Sequence, residues 1–348
     1  MKALQVMENG APLDVINIVD IPPPQVGEGQ VLIKVSAGSL NFNDIDRCYG
    51  RRISVPTPPP FTLGMDVCGI VEQTGADALE WLGKRVVAVT ANATGGLAEY
   101  AIASRDMVFD APENMSDAEA AAFIIPFHTA YLAVMQRARL AAGETLLVHA
   151  GASSVGAAAI QLGKAHGANV IATVSSADKA EYCRELGADL VINHTTESFA
   201  DVVLDHTNDE GAHVILDLVG GSFVEPSWRC VALVGRYITA GFADDAENGF
   251  TGRPLRPTCF GNFSIIGVML SWSDNNPPAF RRMGFNLFRR DMGDRVHNDL
   301  LRLAKQGLIK SNLERTIDFS QAAQALTDQE NRLTKGRTVV VIPVTDNH

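Results

Sequence analysis

Hydrophobic positions follow two different rhythms along the chain, and the change between them divides the sequence. Up to about residue 122, short apolar stretches are broken by glycine, proline and polar turn residues, as in GQVLIKVSAGSL and GKRVVAVTA. Such runs predict β-strands. The prolines of VPTPPPF, residues 55–61, cannot donate to a sheet ladder, so this stretch is predicted to be an extended surface loop. The first part of the chain is therefore expected to be mostly β-structure.

After Asp117 the apolar positions take helical spacing, and longer apolar runs then recur at intervals of about 20–30 residues. Helix-like segments, each ended by a glycine suited to a helix C-terminus, separate the first three runs. The six runs are TLLVHA from 145, NVIATV from 169, LVINH from 190, HVILDLVG from 213, GRYITAG from 235 and FSIIGVML from 263. Continuous apolar strands alternating with helices predict a doubly wound parallel sheet, the fold of a dinucleotide-binding domain.

Beyond residue 270 the pattern is less regular, and it ends in another apolar strand, RTVVVIP. Because this strand follows a complete doubly wound unit, we expect it to return to the β-rich first part. The sequence thus predicts an α/β protein of two domains. Residues 1–122 and 271–348 form a β-rich domain, and residues 123–270 form a Rossmann domain.

The stretch VHAGASSVG, residues 148–156, joins the first of these strands to its helix. It does not carry a complete G-x-G-x-x-G fingerprint, but its small side chains permit close approach of a pyrophosphate to backbone N–H groups at a helix N-terminus. The residues expected to bind the cofactor here are Ala152, Ser153, Ser154, Val155 and Gly156. The alternative is an ordinary turn between strand and helix with no ligand.

The second strand, NVIATV, ends where many dinucleotide-binding domains place an acid that holds the ribose 2′-hydroxyl of NAD. The sequence continues instead as VSSADK, with no acid directly after the strand. Ser175, Ser176 and Lys179 are suited to donate to a 2′-phosphate, which predicts NADPH as the preferred cofactor. Ser176 is also expected to cap the helix that follows.

Composition and charge narrow the classes of partner. Hydrophobic residues make up 46% of the 348 residues, as in globular proteins, and the formal net charge of −11 disfavours nucleic acid and anionic membrane surfaces. A small-molecule partner is therefore expected. The five cysteines are far apart, the N-terminus lacks a signal-peptide core, and no apolar run is long enough to span a membrane. These features predict a cytoplasmic protein.

Several segments in this order resemble the zinc-free medium-chain dehydrogenase/reductase family, specifically quinone oxidoreductases and their ζ-crystallin-like relatives. They include MKALQV, GSLNFNDIDRCYG, FTLGMDVCGIVEQTG, GGLAEYAIAS, PFHTAYLAV, HAGASSVGAAAIQLGKAHGA and ENRLTKGRTVVVIP. The resemblance implies a GroES-like catalytic domain built from both chain ends, with the Rossmann NADPH-binding domain inserted between them. One departure is that the family usually carries a glycine pair where this chain has Ser153 and Ser154.

The resemblance also implies roles for individual residues. Asn41 and Asp44 would line the substrate side of the nicotinamide, with local turn chemistry as the alternative. Thr129, Gly241 and Phe242 would lie near the nicotinamide ring. Lys179, His194 and Arg332 would surround the 2′-phosphate, although Arg332 also fits a solvated surface position. Tyr49 is the candidate proton donor, with solvent as the alternative, and His149 is expected to be a hydrogen-bonded histidine at a strand end.

Zinc-containing members of the family use an early cysteine, a histidine in a Gly-His-Glu triplet and a four-cysteine lobe. Here the triplet reads Gly64-Met65-Asp66, the early position falls in NFND, and Cys68 is the only cysteine between residues 49 and 182. A zinc site needs three or four close N or S ligands, so a metal-free enzyme is expected.

The predicted function is an NADPH-dependent reductase that transfers hydride to a quinone or an α,β-unsaturated carbonyl compound. The alternatives are an enoyl-thioester reductase and a non-catalytic NADPH-binding protein with a structural or regulatory role. The apolar last strand, FSIIGVML, would leave an exposed sheet edge in a monomer, and relatives often pair through it, so a homodimer is expected.

Overall fold

A computed structural model describes residues 1–51, 57–244, 253 and 255–342. The chain divides into two compact units. The first contains Met1–Ile125, Ser271–Leu301 and Ser311–His348, and the second contains Pro126–Leu270 and Arg302–Lys310. The segment Arg302–Lys310 therefore lies with the Rossmann part, whereas the sequence placed it in the β-rich domain. The Gln161 side chain holds it there, since Nε2 donates to Lys310 O at 3.2 Å and Oε1 accepts from Lys310 N at 2.8 Å.

The first unit is built on two β-sheets. Its strands are β1 (Lys2–Val6), β2 (Ile16–Asp20), β3 (Gln30–Ser39), β4 (Phe61–Thr62), β5 (Asp66–Thr74), β6 (Arg85–Thr90), β7 (Tyr100–Asp110), β14 (Leu313–Ile317) and β15 (Arg337–Val341). Strand β3 pairs with both β5 and β7, so β3, β5, β6 and β7 close on themselves, and β1, β2 and β4 form a smaller sheet. Closure leaves these four strands without an open edge.

The C-terminal strand returns to the β-rich part, as the sequence predicts. Strand β15 pairs antiparallel with β3, with Val339 opposite Ser39, and β14 lies on its other side. Strand β3 also carries the core of this unit, because Val31, Ile33 and Val35 are buried at alternate positions.

The helices that lie wholly in the first unit are short. They are α1 (Pro12–Val15), α2 (Phe42–Cys48), α3 (Asp117–Ala121), α10 (Pro278–Arg282) and α12 (Ala322–Glu330). Two further helices, α4 (Ile124–Ala130) and α11 (Arg290–Lys305), each continue from one unit into the other along the chain. Among the residues that the structure describes, no helix is long and apolar enough to cross a membrane.

The second unit is a parallel sheet of six strands in the order β10-β9-β8-β11-β12-β13. Its strands are β8 (Thr145–Val148), β9 (Asn169–Val174), β10 (Leu190–Asn193), β11 (Ala212–Asp217), β12 (Val231–Thr239) and β13 (Ser264–Gly267). Its helices are α5 (Ser154–Ala165), α6 (Ala177–Glu185), α7 (Phe199–His206), α8 (Val224–Arg229) and α9 (Arg256–Gly261), with a π-helix at Tyr131–Arg137. All six predicted strands are present, and their order confirms the doubly wound α/β fold.

Candidate functional site

The turn from β8 into α5 lies beside the end of β9, because Gly151 N donates to Thr173 O at 2.9 Å. Ser153 is the N-cap of the twelve-residue helix α5, and its hydroxyl accepts a hydrogen bond from Gly156 N at 3.2 Å. The first N–H groups of a helix have no partner within the helix, and the helix dipole adds positive potential there. The predicted residues Ala152 to Gly156 therefore form a suitable cradle for a pyrophosphate.

Two glycines shape this turn for different reasons. A Cβ at Gly156 would lie 2.3 Å from Ala150 O, and a Cβ at Gly151 would lie 2.8 Å from the Ala172 side chain. Their spacing is that of the first and last glycines of G-x-G-x-x-G, with Ser153 in the middle position. Gly151 was not among the predicted site residues, although its spacing from Gly156 in the sequence indicated it.

The end of β9 brings together the residues predicted to face the ribose. Ser175 and Ser176 follow the strand directly, and Ser176 precedes α6. His194 N donates to Val174 O at 3.1 Å, which places the end of β10 beside them. Lys179 lies in the first turn of α6, together with Asp178, an acid that was not among the predicted site residues. Ser176 is the N-cap residue of α6, but its side chain accepts no hydrogen bond from the helix, so the expected side-chain cap is not formed. The Ser176 hydroxyl donates instead to Asp178 Oδ1 at 2.5 Å.

His149, at the end of β8, is fully buried and has a partner at each ring nitrogen. Nδ1 lies 3.0 Å from Thr173 Oγ1, and Nε2 lies 2.8 Å from Ser227 Oγ. Ser227 gives its single hydroxyl proton to Phe223 O at 2.7 Å, so Nε2 must donate and Nδ1 must accept. Burial lowers the pKa of His149 to about 4. The ring is thus a neutral structural group, as the sequence predicts.

Two neighbouring strand ends, β11 and β12, are joined through a buried acid, Asp217. Its Oδ1 accepts from Val219 N at 2.8 Å and from Gly220 N at 2.9 Å, and the hydroxyl of Tyr237 donates to its Oδ2. Gly241 packs against this loop so closely that a Cβ would lie 2.4 Å from Leu218 O. These contacts fix the loop conformations at the carboxyl ends of the sheet, where dinucleotides bind in such folds.

The two other residues predicted near the nicotinamide lie in the second unit as well. Phe242 follows Gly241 and is 42% exposed, and Thr129 is half-buried in α4, two residues before the π-helix. The positions of Gly241, Phe242 and Thr129 are compatible with the predicted roles, which stay predictions.

In the first unit, Asn41 belongs to a buried network of three side chains. Its Nδ2 donates to Asp66 Oδ1 at 2.8 Å and to Ser39 O at 3.2 Å, while its Oδ1 accepts from Arg337 Nη2 at 2.8 Å. The same Arg337 nitrogen lies 2.5 Å from Asp66 Oδ2 in an ion pair that is almost fully buried. Both amide protons of Asn41 therefore have acceptors within the protein. Arg337 was not among the predicted site residues, because it lies 296 positions from Asn41 in the chain.

Asp44 also holds the segment that contains Asn41, through two backbone N–H groups. Its carboxylate accepts from Asn41 N at 2.8 Å and from Gly64 N at 3.1 Å. Burial raises the pKa of Asp44 to about 6, against the lowering effect of those two backbone donors. Asp44 thus fastens α2 to the turn before β5, and this contact supports the local turn chemistry that was the alternative for Asn41 and Asp44.

Tyr49 and Arg332, also in the first unit, are placed less favourably for their predicted roles. The Tyr49 hydroxyl donates to Glu330 Oε2 at 3.1 Å, and burial followed by that contact raises the pKa of Tyr49. A phenol held this way is a poor proton donor at neutral pH. Arg332 is exposed and adopts a left-handed backbone conformation, with φ at +60°. Its phosphate role stays a prediction.

Metal ligands are not grouped in the part of the chain that the structure covers, where no cluster of three or more His, Cys, Asp or Glu side chains is arranged to hold an ion. Burial raises the pKa of the Cys48 and Cys68 thiols to about 12, and metals bind the thiolate. Asp66, in the position of the zinc enzymes' triplet glutamate, is held by Arg337 and Asn41.

Comparison with known proteins agrees with this architecture. A family model described as an alcohol dehydrogenase GroES-like domain matches residues 27–113, and one described as a zinc-binding dehydrogenase matches residues 154–283. Quinone oxidoreductase-like protein 2 of Mus musculus is 30% identical over 327 residues, which cover 93% of this chain and 88% of that protein. The quinone oxidoreductase of Mus musculus is 34% identical over 204 residues, which cover 57% of this chain and 60% of that protein.

A solved structure also matches both units. It is a mycobacterial protein in complex with NADPH, with 27% sequence identity and a TM-score of 0.82, and the match covers 98% of this chain and 100% of that one. The relative that covers 93% of the chain, the two family models together and the solved structure all match parts of both units. This chain therefore belongs to the quinone oxidoreductase-like family of zinc-free medium-chain dehydrogenases/reductases.

Proposed function

We propose that this protein is an NADPH-dependent reductase that transfers hydride to a quinone or an α,β-unsaturated carbonyl compound. The observation that carries the proposal is the Gly151–Gly156 turn, which leads from the central strand β8 into α5 beside the end of β9. That arrangement fits a dinucleotide pyrophosphate. The related mycobacterial structure in complex with NADPH supports the choice of cofactor.

The residues of the second unit divide the cofactor between them. Ser153 to Gly156 would hold the pyrophosphate, and Lys179 and His194 would meet the 2′-phosphate with positive charge or ring N–H groups. When bound, NADPH supplies a hydride from C4 of its nicotinamide, which together with one proton reduces a quinone to a hydroquinone. The loop fixed by Asp217 and Gly241 would hold the nicotinamide end in one orientation.

We propose that Asn41 and Asp44 serve the acceptor by keeping their segment rigid. For Asn41 to donate to an acceptor oxygen, it would have to release Asp66 or Ser39, so a positioning role is favoured over direct donation. Because Glu330 holds the Tyr49 hydroxyl, we assign the proton of the reduction to solvent. An acceptor already activated by a second carbonyl or a conjugated double bond needs no Lewis acid to accept hydride.

We further propose a homodimer formed through β13. This strand is the last in the order of the parallel sheet, and it presents half-buried Ile265 and Ile266. Pairing with the same strand of a second copy would cover that edge. A cytoplasmic location is also proposed, because all five cysteines are free thiols, as expected in a reducing compartment.

A panel of acceptors tests the function. NADPH and NADH absorbance is followed with quinones, enones and enoyl-CoA thioesters, alongside direct measurement of nucleotide binding. The proposal predicts turnover with quinones or enones and stronger binding of NADPH than of NADH. Preference for enoyl-CoA would favour the enoyl-thioester reductase, and tight NADPH binding without turnover on any acceptor would favour a non-catalytic binding protein.

A further inference from the structure

An acidic side chain lies close to the end of β9, although the sequence directly after that strand has none. Asp178 is in the first turn of α6, and its Oδ1 accepts the hydroxyl proton of Ser176 at 2.5 Å. Its carboxylate is exposed, and Ser176 is half-buried. In doubly wound folds the end of this strand meets the adenosine ribose, which is where NADPH and NADH differ.

The contact has a chemical consequence for Ser176. A serine hydroxyl carries one proton, and here Asp178 accepts it, so in this arrangement the hydroxyl presents only lone pairs to a ligand. Lone pairs repel a phosphate dianion but accept a hydrogen bond from a ribose hydroxyl. The Asp178 carboxylate has the same preference, since it repels a phosphate and accepts from a hydroxyl.

The neighbouring side chains act in the opposite direction. Lys179 is half-buried in the same turn of α6, and the end of β10 places His194 alongside. A lysine ammonium attracts a phosphate as a point charge. The end of β9 therefore combines Lys179, which favours a 2′-phosphate, with the Ser176–Asp178 pair, which disfavours it.

We propose that Asp178 is a specificity-determining residue that withholds the Ser176 hydroxyl from a 2′-phosphate and so limits the preference for NADPH over NADH. The inference rests on the proposed function, in which this strand end receives the adenosine ribose. The preference for NADPH then comes from Lys179 and its neighbours. Because Asp178 limits that preference, the protein is predicted to bind NADH as well, more weakly than NADPH.

The test measures dissociation constants of NADPH and NADH by fluorescence titration of the full chain. Asp178→Ala removes both the charge and the acceptor of the Ser176 proton, and it should raise the NADPH/NADH affinity ratio by about fivefold, the upper range for an exposed charge pair. Glu181→Gln is the matched control, since Glu181 is an exposed acid on the same helix that pairs with Arg184 at 3.1 Å. It should change the ratio by less than about twofold.

A double-mutant cycle tests the hydroxyl itself. Ser176→Ala should weaken NADPH binding less in the wild-type background, where Asp178 holds the proton, than in an Asp178→Ala background. In an Asp178→Ala background the hydroxyl is released, and there Ser176→Ala should weaken NADPH binding severalfold without affecting NADH.

Three results would overturn the inference alone. One is tight NADPH binding with the same affinity ratio in Asp178→Ala as in the wild type. Another is an equal shift in Glu181→Gln, and the third is an equal loss for both nucleotides accompanied by a lower melting temperature, which would limit Asp178 to stabilising the helix N-terminus. Wild-type protein that binds neither nucleotide would instead overturn the proposed function, and the inference with it.

Discussion

The Nδ2 atom of Asn41 lies 2.8 Å from Oδ1 of Asp66, and Nη2 of Arg337 donates both to Oδ1 of Asn41 and to Oδ2 of Asp66. The three groups form a closed, buried ring of hydrogen bonds that fixes which way the Asn41 amide faces. The amide is therefore part of the scaffold at the start of α2, in addition to any role toward an acceptor.

Replacing Asn41 should affect both stability and turnover. In Asn41→Ala, Asp66 and Arg337 each lose a buried partner, which should lower the free energy of unfolding by about 1–3 kcal/mol. With the segment loosened, turnover in the folded fraction should fall by about tenfold or more while NADPH affinity stays the same. Melting temperature, NADPH binding and turnover are measured on one preparation.

The exposed neighbour Asn43, in the same NFND segment, provides the control for that variant. Asn43→Ala should be close to wild type in all three measurements. Full turnover in stable Asn41→Ala protein would remove Asn41 from the functional site.

Gly156 should not tolerate a side chain. The methyl group of Gly156→Ala would lie 2.3 Å from Ala150 O, so the turn before α5 must open. We expect a lower melting temperature and loss of most NADPH affinity, measured by titration. Gly267→Ala is the control, since its methyl group meets nothing within 4 Å. Unchanged NADPH binding in Gly156→Ala would place the pyrophosphate elsewhere.

Lys179 should set much of the cofactor preference. Lys179→Glu replaces an attractive charge with a repulsive one and should cost on the order of 1–3 kcal/mol of NADPH affinity, with little change for NADH. Lys310→Glu, an equal charge reversal at an exposed position, should leave the preference unchanged. An unaltered NADPH/NADH ratio in Lys179→Glu would contradict the assignment of the 2′-phosphate.

Two buried histidines should make the fold sensitive to mild acid. Burial lowers the pKa of His149 and of His297 to about 4, while an unfolded histidine titrates near 6.5. The unfolded state therefore binds more protons as pH falls below 6.5, and stability is lost progressively from there toward pH 4. At pH 5 the loss should be on the order of 2 kcal/mol for each histidine, measured by urea unfolding at several pH values.

Asp44 acts in the opposite sense, because its pKa is raised to about 6 and its contribution to stability is lost as pH rises through that value.

The effect of one histidine is isolated with His297→Gln, which should show a shallower decline in stability between pH 6.5 and 4 than the wild type. An equal decline in that variant would mean that His297 is not protonated on unfolding in this range.

The oligomeric state tests the role of β13. Sedimentation at micromolar concentration should give twice the chain mass of 37.3 kDa. A mass near 37.3 kDa would show that the edge of the parallel sheet is left unpaired in solution.

The sequence predicted the parallel sheet well because each of its strands is a continuous apolar run closed by a glycine or a polar turn. It did not predict the hydrogen bond between Asn41 and Arg337 or the placement of the segment Arg302–Lys310 in the second unit, because both depend on partners far away in the chain. The acid at Asp178 was visible in the sequence. Its contact with Ser176 spans only two positions of the chain, but a side-chain cap of α6 by Ser176 is equally local, and the sequence does not decide between the two.

Stereospecific hydride transfer is the most direct test of the proposed reductase. NADPH carrying deuterium on one or the other face of C4 is oxidised by the full chain with its best quinone or enone, and the NADP⁺ formed is analysed by mass spectrometry. A fixed nicotinamide should lose all deuterium from one labelled form and none from the other. Equal loss from both forms, or bound NADPH that no acceptor oxidises, would contradict the assignment of this chain as a hydride-transferring reductase.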